Sequence, residues 1–217
     1  MWTLPMVTFF LTSSALSHLY SSRKSAFESM FEKSSERDAM QVLANGGVGG
    51  AMVLLAISAP AQFVYPAFVG AVAAANADTW GTELGLLSSR PPRLVTTLKQ
   101  VSHGTSGAVS VVGLFGAAVG SAIVGCSAIP WSSVVSRNPI IYALLGGMSG
   151  MAVDSLVGAS LQARYRCAVC ASLTEKREHC EKPALLEGGY GWMTNDSVNL
   201  SCTIAGAAVG GVSGFLC

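Results

Sequence analysis

The chain has 217 residues, of which 51% are hydrophobic and only 12% charged, and its mean hydropathy is +0.49. Soluble domains carry about 25% charged residues, so this composition excludes an ordinary water-soluble surface and points to contact with lipid. The formal net charge of +1 gives no basic field for nucleic acid, which is excluded as a partner.

Six apolar runs succeed one another: Trp2–Leu19, Gln41–Ser58, Phe63–Leu87, Ser106–Ile129, Pro139–Gln162 and Ser197–Leu216. Each is near the ~20 residues a helix needs to cross a bilayer core. The expected fold is all-α, a polytopic integral membrane bundle of about six transmembrane helices in one domain, with a Cys-containing loop at 163–194. The first run has no positively charged stretch ahead of it and is kept as a span rather than a signal peptide. Glycine, 24 residues in all, recurs inside the runs, where small residues let membrane helices approach closely.

All 13 Lys and Arg fall between these runs. Arg23, Lys24, Lys33 and Arg37 follow the first. Arg90, Arg93 and Lys99 follow the third, and Arg164, Arg166, Lys176, Arg177 and Lys182 the fifth. Only Arg137 lies in an even-numbered loop. Cytoplasmic loops concentrate Lys and Arg, so the three basic loops are expected in the cytoplasm and both termini on the far side. The organelle is left open.

On that orientation the strongly polar groups gather toward one face. Asn76, Asp78, Thr79 and Glu83 close the third run, and Asp154 lies in the cytoplasmic half of the fifth. Gln41 and Asn45 open the second run; Asn195, Asp196 and Asn199 open the sixth. A carboxylate at membrane depth is costly unless it is paired, wetted or bound to a cation. Asp78, Glu83, Asp154 and Asp196 are therefore candidate Mg²⁺ ligands, since that ion prefers carboxylate and phosphate oxygens. Asn76, Thr79 and Glu83 share one helix face while Asp78 points away. Convergence of Asp78 and Glu83 then asks for unwinding near Gly81, or for two half-sites. Asp154, Gly158 and Gln162 share a face as well. The alternative is that these groups only bond neighbouring helices.

The loop SSRPPRLVTTLKQVSHGTSG joins Lys99 and His103 to a Gly104-Thr105-Ser106-Gly107 turn, read as the start of the fourth helix. Free amides at a helix start bind phosphate, and Lys99 could neutralise its oxygens; the alternative is an ordinary cytoplasmic loop. The glycines around Asn45 suit either close ligand approach or helix packing. Cys167, Cys170 and Cys180 form C-x2-C-x8-HC with His179. Disulfides are disfavoured in a cytoplasmic loop, which leaves Zn²⁺ as an option, although a neighbouring His and Cys rarely ligate one ion. Two sequons, at Asn195 and Asn199, are expected to stay unglycosylated. A short echo links Ala77-Asp78-Thr79 to Val153-Asp154-Ser155.

The segments QVLANGG, ANADTWGTELG, PPRLVTTLKQVSHGTSGAVS, AVDSLVGASLQ, EKREHC and WMTNDSVNL, in this order, resemble one membrane family. It includes the phytyl-phosphate kinases of chloroplasts and cyanobacteria and the eukaryotic transmembrane protein 19. The likeness runs from about Phe9 to the end, and the Cys-rich loop is closer to the transmembrane protein 19 branch. It implies Mg²⁺-dependent phosphoryl transfer from a nucleoside triphosphate, CTP by analogy with polyprenol kinases, to a prenyl phosphate held in the lipid bilayer. It implies metal and phosphate contacts for Asn76, Asp78 and Glu83 and a phosphate cradle from Lys99 and Gly104–Gly107. Asp154, Asn195, Asp196 and Asn199 would complete the pocket. Family members usually carry at least one more hydrophobic helix ahead of a segment like FFLTSSALS, almost where this chain begins, and no plastid transit peptide is expected. Rival readings are an ion or lipid transporter, a catalytically silent scaffold, and a lipid-phosphate cytidylyltransferase.

Overall fold

A computed structural model describes residues 1–19, 38–135 and 138–216. Arg23, Lys24, Lys33, Arg37, Arg137 and Cys217 lie outside the described residues. The long helices are α1 (Thr3–Leu19), α2 (Ala39–Leu55), α3 (Ala61–Gly85) and α4 (Val111–Ala128). A 3₁₀ turn at Ile129–Trp131 and the four-residue α5 (Ser132–Val135) lead to α6 (Pro139–Ser160), and α7 (Asn195–Leu216) ends the fold.

Local chemistry sets three of the helix starts. Asp38 accepts the Gln41 N–H at 2.8 Å, and Ser110 accepts that of Gly113 at 3.0 Å. Asn138 accepts from Ile140 at 3.0 Å, and Pro139 opens α6 with a φ already suited to a helix. Such side-chain oxygens satisfy amides that have no partner within the helix.

Helix α3 is the central post. Val64, Tyr65, Phe68, Val69, Ala71–Ala75 and Ala77 are buried against α1, α2, α4, α6 and α7. Small residues permit this crowding. A Cβ on Gly70 would stand 2.3 Å from the Gly206 carbonyl oxygen, and one on Gly146 would stand 2.8 Å from the same atom. Only glycine lets α3, α6 and α7 meet backbone to backbone here.

The outer faces are apolar instead. Phe10 and Leu11 on α1, Leu43 on α2, Phe115 on α4, Ile204 and Val212 on α7 are all more than half exposed. Among the described residues, no Lys or Arg lies in any of the long helices. An apolar exterior around a small-residue interior is the arrangement that lipid favours.

Two helices, α4 with its following turn (Val111–Trp131) and α6, are long and apolar enough to cross a membrane; α2 is a shorter apolar helix. The expected count of six spans is therefore not met by length and hydropathy. Acidic and amide side chains in α3 and α7 lower the mean hydropathy of those two.

The expectation of an all-α chain also needs correction, since the molecule is mostly helical with short strands in two loops. Strands β1 (Arg93–Leu94) and β2 (Ala108–Val109) pair antiparallel. The loop from α6 to α7 forms an antiparallel sheet of β3 (Arg164–Arg166), β4 (Leu173–Thr174) and β7 (Leu185–Gly188), in the order β4-β3-β7. Beside it stands a ribbon of β5 (Glu178–His179) and β6 (Lys182–Pro183). Arg166 and Glu187 form an ion pair across β3 and β7. Strands of two to four residues are too short to show alternation, which is why the sequence does not announce them.

Candidate functional site

The C-terminal ends of α1, α3 and α6 and the N-terminal ends of α2, α4 and α7 surround one cavity of about 260 Å³. Asp78 from α3 meets Asp154 from α6 at hydrogen-bonding range, and Glu175, just after β4, lies near enough to repel Asp154. Asp154 Oδ2 is buried and has no hydrogen-bond partner among the described residues. A buried carboxylate oxygen in that state is costly, and two facing carboxylates need a shared proton or a cation between them.

Glu83 is 2% exposed and accepts the Ser17 hydroxyl of α1 at 2.8 Å. Five residues separate Asp78 from Glu83, a turn of about 140° around a helix. Unwinding at Gly81 is nonetheless absent, because α3 stays helical to Gly85. The cavity instead wraps the end of the helix, taking in Asp78, Thr79, Gly81, Thr82, Glu83 and Gly85.

Gly104, Thr105, Ser106 and Gly107 line the cavity together with His103, Asn45, Asn195 and Asn199. The glycine turn is not the helix start that was expected. Helix α4 begins at Val111 behind its own Ser110 cap, with β2 in between. The turn is seated on the end of α6 instead. Gly107 has φ +74°, and a Cβ there would lie 2.4 Å from the Ala159 nitrogen. Ser106 donates to Gln162 Oε1, while a Cβ at Gly158 would strike Ser106 Oγ at 2.6 Å. Gln162 lines the cavity and holds a buried Nε2 without an acceptor among the described residues. His103 Nε2 contacts the Ser88 carbonyl at 3.0 Å, Thr79 donates to Ala75, and Asn45 donates to Gln41.

Three expected site residues stand elsewhere. Asn76 is fully buried, donates to the Gly120 carbonyl at 2.8 Å and accepts from Thr12 at 3.2 Å, so it joins α1, α3 and α4. Lys99 is exposed and does not line the cavity. Asp196 stands in the first turn of α7 outside the lining, where a negative charge complements the helix dipole. Sequence reasoning missed Glu175, an acid in a basic loop with nothing to distinguish it from a solvated charge. It placed Gln162 on the Asp154 face but not in the site. Among the described residues, no Lys or Arg lines the cavity.

A second cluster lies in the α6–α7 loop. Ligand atoms of Cys167, Cys170, His179 and Cys180 all fall within 4.8 Å of one another. The Cys170 thiol is lowered to about 6, chiefly by hydrogen bonding with Ser172, while Cys180 is raised to about 11, chiefly by its contact with Cys170.

Curated relatives share this sequence at moderate identity. Protein PGR of Arabidopsis thaliana is 31% identical across 76% of this chain and 65% of its own length. A membrane protein of Methanocaldococcus jannaschii is 30% identical across 80% of the chain and 61% of its own length. One from Synechocystis is 25% identical across 95% and 71% respectively. The chain thus spans slightly less than two thirds of the first two relatives. No solved structure matches it. Residues 1–207 match the family described as Integral membrane protein DUF92, in agreement with the motif resemblance, and the chain belongs to that family of integral membrane proteins.

Proposed function

We propose that this protein is a membrane-embedded phosphotransferase that extends a lipid-soluble isoprenyl monophosphate, such as phytyl phosphate, to its diphosphate. The donor is a nucleoside triphosphate, CTP by family analogy, with Mg²⁺. One observation carries the reading. Asp154 Oδ2, buried and unbonded beside Asp78, borders a cavity where carboxylates gather and no Lys or Arg is present among the described residues. A polyphosphate entering alone would meet only like charge. Divalent cations reconcile the two, because Mg²⁺ is commonly held by one or two carboxylates and the substrate phosphates together.

Phosphoryl transfer asks for positioning and charge neutralisation more than for a covalent nucleophile. In this reading Asp78 and Asp154 would hold Mg²⁺, with Glu83 and Glu175 also lining the cavity. The Gly104–Gly107 turn, Gln162 Nε2 and the amides of Asn45, Asn195 and Asn199 orient phosphate oxygens. An oxygen of the prenyl phosphate attacks the γ-phosphorus, the β–γ bridging P–O bond breaks, and nucleoside diphosphate leaves. The acceptor oxygen is already ionised, so no strong base is needed. All six long helices cross the bilayer, the cavity faces the cytoplasm, and the prenyl tail lies between helices.

The test is incubation of purified protein with γ-labelled CTP, Mg²⁺ and a panel of prenyl monophosphates. Label in a prenyl diphosphate supports the proposal. Release of pyrophosphate would identify a cytidylyltransferase instead, and absence of nucleotide binding with Mg²⁺ would leave a scaffold or a transporter, which flux into proteoliposomes without nucleotide would tell apart.

A further inference from the structure

The α6–α7 loop carries four groups that phosphoryl transfer does not use. Cys167 and Cys170 belong to the turn from β3 to β4; His179 and Cys180 belong to the β5–β6 hairpin. We propose that Cys167, Cys170, His179 Nδ1 and Cys180 form a closed four-ligand zinc site, independent of the phosphotransferase reading.

Geometry supports it first. Zinc bonds of about 2.3 Å to sulfur and 2.0–2.1 Å to nitrogen give tetrahedral edges of about 3.8 Å (S···S) and about 3.6 Å (S···N). Cys170 Sγ and Cys180 Sγ are 3.9 Å apart, and His179 Nδ1 is 3.5 Å from the former and 3.2 Å from the latter. One ring nitrogen thus faces two sulfurs at ligand-edge distances.

Backbone conformation supplies an independent sign. Cys180 and Glu181 both have positive φ, 54° and 59°, at the centre of the turn that pairs His179 with Lys182. That conformation belongs to Asn-Gly and similar pairs, and a non-glycine residue held there is strained. Ala171, with φ 57°, occupies the same region directly after Cys170. These bends turn the neighbouring His179 and Cys180 toward one point, which answers the objection that adjacent residues rarely share an ion. The Val169 N–H reaches Cys167 Sγ at 3.3 Å, so a main-chain donor supports the charged thiolate. Three thiolates and one zinc ion leave a single negative charge, and the same loop carries five Lys and Arg against four Glu, a net of +1.

The consequence reaches the cavity. Glu175 lies between the two pairs of ligands in sequence and lines the acidic cavity beside Asp154. Zinc would brace the segment that carries Glu175 at both ends.

The full-length protein, purified from membranes in detergent with reductant, should contain one zinc per chain by mass spectrometry. After chelation and reloading, Co²⁺ should show thiolate charge-transfer bands and the intense visible bands of a tetrahedral site. Cys167→Ser and His179→Ala should each lose the metal, while Cys126→Ser on α4 keeps it. Zinc removal should also speed amide exchange across 167–188. Metal-free protein whose cobalt form lacks thiolate bands would overturn the site without reliance on any variant. A Cys170–Cys180 disulfide in freshly isolated membranes would overturn it equally, and unchanged exchange would overturn the bracing of Glu175.

Discussion

The two ends of the bundle follow opposite rules. At the end away from the cavity, Trp2 packs edge to face on Tyr65 and Phe68, with ring centroids 5.2 and 5.0 Å apart. Tyr142, Val124 and Ala128 complete a buried, mostly apolar cluster. At the cavity end the same helices, α3 and α6, present Asp78 and Asp154 to each other. One end gathers groups that gain from exclusion of water, and the other gathers groups that lose by it. Acids that face each other in this way concentrate at functional sites, and the aromatic end is expected to supply the stability that offsets them.

Substitution of each end separates the two roles. Phe68→Ala is expected to have the largest effect, a loss of about 3–5 kcal/mol in stability, read as a lower melting temperature in detergent. Activity of the remaining folded protein should hold. If activity vanished without unfolding, the ends would be coupled and the contrast would break. Asp78→Asn and Asp154→Asn come next. Each should lower turnover about 10²–10³-fold, the range seen when one group that stabilises transition-state charge is removed. The melting temperature should stay level or rise, because one of two facing carboxylates becomes neutral. A fall comparable to that of Phe68→Ala would assign these acids to helix packing rather than to chemistry.

The same contrast governs what the sequence disclosed. Asp78, Glu83 and Asp154 were legible because charge inside an apolar run is conspicuous whatever the tertiary structure. The long helices were legible because long apolar runs are local signals. The true start of α4 was obscured because GTSG, with two glycines and two hydroxyls, looks like a helix entry. The tertiary seat of Gly107 against Ala159 and the Ser110 cap behind β2 show otherwise. Glu175 was hidden for a different reason, and so was the convergence of His179 with its neighbouring cysteines. Their meaning depends on short strand pairings, Tyr165 with Thr174 and His179 with Lys182, which leave no periodic trace. Asn76 shows the reverse error, a polar residue in the right motif whose side chain is consumed by Thr12 and Gly120.

Lys99 gives the smallest expected effect and the sharpest test of geometry against motif. The resemblance implies a lysine on the phosphates, whereas the fold leaves Lys99 exposed on the turn between β1 and β2, outside the cavity lining. Nearby, Arg93 Nη1 is already committed to the Leu98 carbonyl at 2.7 Å. An exposed cation at such a place acts on the cavity only through screened charge, with a Debye length of about 8 Å at physiological salt. Lys99→Ala should therefore change turnover by less than about threefold, under the 0.7 kcal/mol or so typical of exposed charge contacts, and salt should erase that difference. A salt-independent loss matching that of Asp154→Asn would show that the loop closes over the substrate and carries Lys99 into the cavity. Charge neutralisation would then be shared between metal and lysine rather than left to metal.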